Sequence, residues 1–226
     1  MPKTVVLLSG GLDSTVNTAL AVQEGGGILA AITCDYGQRS AAMEIASAQA
    51  ICRYYSIEHK IVPIRWLGDL SVTPLTRLDI PIPLPEVEGF ASSDQKVWIP
   101  NRNGVMLNIA AAYAEALGAE RIITGFNAEE ARSFPDNSME FLVAANGAFR
   151  YSCRAKVQAL SYTARLDKRQ IMLLAKRHDV PLQLSWWCYE SGARACWRCG
   201  SCLRFRNAAE AARCIAWLSA KGIAPG

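Results

Sequence analysis

The chain has 226 residues, 51% of them apolar and 19% charged, with a net charge of +4. That length suits one large α/β domain with a small appendage, and the composition excludes a disordered chain. No apolar run approaches the ~20 residues of a membrane span, and so small a net charge does not by itself call for nucleic acid.

Met1-Pro2-Lys3-Thr4 leads straight into a strand, Thr4 to Leu8, with no signal peptide. A cytoplasmic protein is expected, and its eight cysteines should be reduced or metal-bound. Ser9-Gly10-Gly11-Leu12-Asp13-Ser14 follows the strand, and an amphipathic helix runs from Thr15 onward. Val16, Leu20 and Val22 point inward, and Gly25-Gly26-Gly27 stops the helix. Paired glycines let a backbone take φ > 0 and approach a ligand closely. The free N–H groups at a helix start suit an anion such as phosphate. Asp13 is out of place beside phosphate unless it positions donors or helps to hold Mg²⁺. This is not a Walker A loop, because no Lys or Arg stands between Thr4 and Glu24.

Ile28 to Thr33 is a continuous apolar run, as expected of a parallel strand covered on both faces. It ends in polar Cys34-Asp35-Tyr36-Gly37-Gln38, at the sheet edge where ligands bind in open α/β folds. A helix from Ser40 to Tyr55 places Ile45, Ala48, Cys52 and Tyr55 on one face, and Ile61 to Ile64 forms a third strand. Residues 65–98 break the rhythm: Pro74, Pro81, Pro83 and Pro85, with Pro100 just beyond, forbid a long regular element. They read as an excursion from the sheet, a lid or a dimer contact. A helix then spans Gly104 to Leu117, a strand Arg121 to Gly125, a helix Met139 to Phe149, a strand Val157 to Leu160 and a helix Leu166 to His178. The alternation predicts a doubly wound parallel sheet over residues 1–187, with residues 188–226 as a separate tail.

In that tail Cys188, Cys196, Cys199 and Cys202 have spacings that bring four sulfurs to one point. Structural Zn²⁺ is the expected occupant; a thiol redox pair and an iron–sulfur cluster are the alternatives. Arg194, Arg198, Arg204 and Arg206 stand by to offset the charge of a four-thiolate centre. Cys34, Cys52, Cys153 and Cys214 read as small buried apolar residues, with Cys34 alone beside the expected ligand edge. His59 and His178 lie outside any motif, so no histidine base or metal site is expected. Tyr151, Tyr162, Trp186 and Trp187 suit purine stacking or, for most of them, core packing.

The Ser-Gly-Gly-x-Asp-Ser loop resembles the PP-loop of the ATP pyrophosphatase superfamily, which has the adenine nucleotide alpha hydrolase-like fold. Asp35-Tyr36-Gly37-Gln38, Pro100-Asn101-Arg102-Asn103, Phe134-Pro135-Asp136, Trp187-Cys188-Tyr189 and the cysteines occur in that order. Together they resemble the 7-cyano-7-deazaguanine synthase family over nearly the whole chain. Two stretches depart from the family's usual pattern. Asn101 stands where Gly is usual, and Ser133-Phe134-Pro135-Asp136-Asn137-Ser138 replaces Gly-Tyr-Pro-Asp-Cys-Arg.

The resemblance implies ATP-dependent conversion of a deazapurine carboxylate and ammonia to a nitrile, with ATP, Mg²⁺ and one structural zinc, in a homodimer needing no nucleic acid or membrane. It assigns ATP binding to Leu8, Ser9, Gly10, Gly11, Leu12, Asp13, Ser14, Thr15, Val16, Asn17 and Thr18. Asp13 and Lys168 are the catalytic candidates; a solvated first-turn lysine is the bland alternative for Lys168. Arg102 is a candidate to grip a phosphate or carboxylate, or else a surface ion pair. Glu130 and Asp136 are candidates to accept hydrogen bonds from a guanine-like edge, or Asp136 simply makes a Pro-Asp turn. The rival functions are a divergent paralogue adenylating another carboxylate, a tRNA-thiolating enzyme and a non-catalytic nucleotide-binding zinc module.

Overall fold

A computed structural model describes residues 2–25 and 27–224. Five strands form one sheet in the order β3-β2-β1-β4-β5: β1 Thr4–Leu7, β2 Ile28–Asp35, β3 His59–Pro63, β4 Arg121–Ile123 and β5 Gln158–Leu160. Every neighbouring pair is parallel, with Val5 opposite both Ala30 and Ile122. The doubly wound parallel sheet expected from the alternation is therefore what the chain forms.

Helices cover both faces because each inner strand is apolar on both sides. Val5 and Ile122 face Leu107, Ala110 and Ala114 of α6 (Arg102–Leu117) and Leu142 and Phe149 of α7 (Met139–Ser152). Val6 and Ile123 point the other way. They meet Ala21 of α1 (Leu12–Gln23) and Ala48, Ile51 and Cys52 of α2 (Ala41–Tyr55). A third cluster joins Leu12 and Val16 of α1 to α8 (Lys168–Arg177), α9 (Gly200–Ala211) and α10 (Ile215–Ala220). The last two helices thus share a core with the loop-bearing helix.

Two expectations, the start of α1 and the place of Tyr151, need correction. Helix α1 begins at Leu12, not Thr15, so Asp13 and Ser14 lie in its first turn. Gly25 ends this helix in the left-handed region at φ 75°, while Gly26 lies outside the described residues. Tyr151 is 94% exposed, packing neither in the core nor at a ligand edge. As the prolines lead one to expect, residues 65–98 hold no long element, only the short helices α3 (Arg65–Asp69), α4 (Pro85–Glu88) and α5 (Phe90–Lys96). Leu67, Leu75 and Val97 from this segment are buried in the main core.

The segment is also pinned by Arg39, whose guanidinium donates to the carbonyls of Arg77 and Ile80 and to Glu190. The strand order reverses between β1 and β4, and their carboxyl ends open the crevice in which such sheets bind ligands.

Candidate active site

A cavity of about 250 Å³ lies over this crevice. Its floor is the loop between β1 and α1. Gly10 sits at φ 80°, and a Cβ there would lie 2.6 Å from the Ser47 hydroxyl, so only glycine fits. The Gly10 carbonyl accepts from the Trp186 amide at 2.8 Å. Gly125, just beyond β4, allows the next approach: a Cβ would stand 2.7 Å from the Ser14 nitrogen. Gly11 caps α1 without a side-chain hydrogen bond, leaving the first-turn amides for a ligand. The Ser9 and Ser14 hydroxyls lie 3.1 Å apart beside them.

Only part of the assigned ATP stretch faces the cavity. Leu8, Ser9, Gly11, Leu12, Asp13 and Ser14 line it. Thr15, Val16, Asn17 and Thr18 are at most 1% exposed and turn toward the core. Thr15 and Thr18 donate to the carbonyls of Gly11 and Ser14, and Asn17 donates to Asp13 and Thr163. Past its first turn α1 is enclosed on more than one side, by the sheet around Ala21 and by α8–α10 around Val16 and Ala19, so these successive residues are all buried.

Lys168 reaches the same floor from the start of α8. Its ammonium lies 2.5 Å from Asp13 Oδ2 and 2.6 Å from Glu130 Oε1, and its side chain is 8% exposed. It is therefore not a solvated first-turn lysine. The unfavourable helix start is offset by two carboxylates and by the Asp167–Gln170 capping box. Burial pushes the Asp13 carboxyl up to about 6, against the pull of Lys168 and with the help of Glu130's charge. Burial also acts to raise Glu130, but Lys168 outweighs it and holds that carboxylate below its ordinary value. Burial likewise opposes the Lys168 charge, yet the two carboxylates hold its pKa above the ordinary range. Asp13 Oδ1 is buried with no hydrogen-bond partner, an acceptor left over for a cation or an incoming donor.

Arg102 and Asp136 meet around the start of α6. Asp136 accepts from the Asn103 amide at 3.3 Å, while its Oδ1 is buried without a partner. Burial raises the Asp136 carboxyl above its ordinary value against the pull of Arg102. Arg102 lies over the Tyr36 ring and donates to its hydroxyl at 3.4 Å. Among the described residues no carboxylate lies within ion-pair distance of Arg102, so it is not a surface ion pair. Trp186 and Trp187, just before the tail, and Tyr189 at its start close the cavity, and Trp187 stacks on Phe205 at 3.8 Å.

The sulfurs of Cys188, Cys196, Cys199 and Cys202 all lie within 4.8 Å of one another. Backbone amides of Glu190 and Cys196 point at the Cys188 sulfur. A tetrahedral ion with ~2.3 Å Zn–S bonds needs sulfurs ~3.8 Å apart, and Cys196 and Cys202 stand at 3.9 Å. The donor set fits one metal ion; a cluster with several irons between the thiolates would spread them wider. Arg204 and Arg206, two of the arginines near this centre, also have carboxylate partners elsewhere. Arg204 holds Asp94 through both oxygens, and Arg206 pairs with Glu86, so both anchor the Pro-rich segment.

Comparison with known proteins now decides the family. The family model described as "Queuosine biosynthesis protein QueC" matches residues 3–213. The chain belongs to the QueC family. It is 44% identical over 211 residues to the 7-cyano-7-deazaguanine synthase of Desulforamulus reducens, covering 91% of this chain and 92% of the relative. It is 46% identical over 212 residues to the synthase of Bdellovibrio bacteriovorus, covering 91% and 92%. Among solved structures, the U34-tRNA thiolase NcsA from Methanococcus maripaludis with its [4Fe-4S] cluster aligns over 97% of this chain and 67% of its own. The TM-score is 0.51 and the identity 19%, a likeness of fold alone.

As a QueC family member, the chain gives physical reasons for its departures. Asn101 adopts φ 53°, a left-handed conformation that Gly prefers and Asn tolerates better than most residues. Ser138 caps α7, accepting from the Phe141 amide at 3.1 Å, and Asn137 lines the cavity. Cys34 also lines the cavity, but burial pushes its thiol up to about 12. A protonated thiol is a poor nucleophile. Sequence reasoning missed Gly125, Tyr189 and Glu44 as parts of this site. A signal existed for Glu44, one helical turn before Ala48 on the buried face of α2.

Among the described residues, no helix is long and apolar enough to cross a membrane.

Proposed function

We propose that this chain is an ATP-dependent ligase that converts 7-carboxy-7-deazaguanine and ammonia into 7-cyano-7-deazaguanine. One observation carries the reading. A single cavity joins the Gly-rich loop, with its free first-turn amides and buried lysine, to a recess lined by Arg102, which has no ion pair among the described residues. The names of the relatives at 44% and 46% identity point to the same product.

A carboxylate resists ammonia because oxide is a poor leaving group. Transfer of AMP from ATP to a carboxylate oxygen supplies a better one. The C–N bond then forms, the C–O bond to AMP breaks and an amide results. A second AMP transfer, to the amide oxygen, followed by loss of AMP and a proton, leaves the nitrile. In this scheme the first-turn amides of α1 and the Ser9 and Ser14 hydroxyls receive the departing pyrophosphate. Lys168 neutralises charge as the phosphorus–oxygen bond breaks; one such preorganised donor contributes ~3 kcal/mol.

The unpartnered oxygen of Asp13, with Glu130 beside Lys168, suits a hard cation, and Mg²⁺ held there would supply charge neutralisation on the phosphates. Arg102 grips the substrate carboxylate or the AMP phosphate, and Asp136 accepts from the purine N–H edge. The four cysteines hold one structural zinc that fixes the Trp187–Tyr189 wall. A second copy of the chain belongs to the same reading, with Leu70, Val72, Leu78 and Val87, each at least 71% exposed, as its contact face.

The test is mass spectrometry of products from ATP, Mg²⁺, ammonium and 7-carboxy-7-deazaguanine. The expected result is the nitrile together with AMP. AMP-free mixtures in which the acid persists would overturn the reading.

A further inference from the structure

Three carboxylates line the cavity: Asp13, Glu44 and Glu130. Asp13 and Glu130 are both committed to Lys168. Glu44 differs, because its partners are neutral. Its Oε1 accepts from the Ser40 hydroxyl at 2.5 Å and its Oε2 from the Gln38 amide at 2.9 Å. No cation among the described residues lies within ion-pair distance of it. A carboxylate so placed has lone pairs to spare and no ion-pair partner among the described residues. At neutral pH the reaction's nitrogen source is mostly ammonium, a cation that is not a nucleophile until it loses a proton.

We infer that Glu44 is the ammonium-binding residue and general base of the amide-forming step. The inference rests on the ligase reading above. One ammonium N–H bond breaks and its proton passes to a Glu44 oxygen. The freed nitrogen lone pair forms the C–N bond to the adenylated carboxyl carbon. The C–O bond breaks with its electrons on AMP, and the second proton lost by nitrogen goes to bulk water. Glu44 touches the nucleophile, while Gln38 and Ser40 orient the carboxylate. The charged and titratable groups that face it are Asp35 and Tyr36 at the end of β2 and Arg102 at the start of α6. Burial raises the Glu44 carboxyl above its ordinary value, with Ser40, Gln38 and Arg102 pulling it down. That direction favours a base that takes a proton and keeps it through the attack.

The test separates adenylation from attack. Glu44→Gln is expected to keep acid-dependent pyrophosphate exchange and to form hydroxamate from hydroxylamine, which is unprotonated at neutral pH. It should lose ~10²-fold or more of amide formation from ammonium at neutral pH, and regain much of it in alkali, where free ammonia is abundant. Unchanged amide formation from ammonium would overturn the inference. So would equal loss with ammonium and hydroxylamine, which would make Glu44 a positioning residue only. Should the variant not fold, the wild-type protein decides. With ammonium as the bound species, KM for total ammonium stays nearly flat between about pH 7 and 9, whereas a fall of about tenfold per pH unit overturns the inference. Absence of pyrophosphate exchange in the wild-type protein would instead sink the ligase reading on which this one stands.

Discussion

The four-cysteine cluster and the Asp13–Lys168–Glu130 centre both concentrate charge-bearing groups in little space, and they are assembled in opposite ways. The cysteines come from residues 188–202 and converge through short loops and the start of α9. The charged centre joins the first turn of α1, the loop after β4 and the first turn of α8, with Asp13 and Lys168 155 positions apart in the sequence. A metal can gather the first. Only the completed sheet can assemble the second, because its three parts meet where the strand order reverses. The cysteine cluster should therefore fail by local loss of structure when its ligands are removed. The charged centre should respond to changes of charge while the fold persists.

The largest effect is expected at the cysteines. One zinc per chain should be found by metal analysis. Cys199→Ser should lose it and lower the thermal midpoint steeply, since binding a structural zinc stabilises a fold by ~10 kcal/mol or more in small domains. An unchanged melting curve would remove the distinction between the two centres. Next comes Lys168→Met, which leaves two buried carboxylates without their cation. Breaking a buried pair this way costs ~3–5 kcal/mol, and AMP formation should fall ~10²–10³-fold. Loss of activity with full stability would mean that Lys168 is not the electrostatic keystone its burial implies.

The smallest effect on stability has the opposite sign. Asp13 holds its proton up to about 6 in the folded protein, against an ordinary 3.8. The folded chain thus binds protons more tightly there than the unfolded chain. Stability from this group is greatest below about pH 4, is lost as pH rises through about 6, and stays low above it. Asp13→Asn should therefore stabilise the protein by ~1–3 kcal/mol at neutral pH, show no gain near pH 4, and abolish AMP formation. Wild-type AMP formation should fall as pH drops below about 6. A variant destabilised at neutral pH would show that the pairing with Lys168 outweighs the burial cost.

Legibility in the sequence follows the same contrast. The strand-loop-helix start, the order of the elements and the cysteine spacing were all readable, because each rests on near neighbours along the chain. Lys168 was a candidate without a partner, since nothing local explains a cation at a helix start. Arg204 was assigned to the cysteines on proximity in sequence, yet α9 turns it toward Asp94, 110 residues away. Thr15 to Thr18 were grouped with the loop although the helix begins earlier and turns them inward.

The sequence by itself determined a doubly wound sheet with a Gly-rich loop at the start of a helix and a four-cysteine tail. Hydrophobic periodicity, glycine backbone freedom and ligand spacing are properties of short segments. Tertiary structure alone decided that Lys168 sits between two carboxylates, that Arg102 meets Tyr36 with no ion pair among the described residues and that Glu44 faces the cavity with neutral partners. Those outcomes depend on which elements the sheet order brings together, and on the cost of burying a charge without a partner, neither of which is written in any single stretch of the chain.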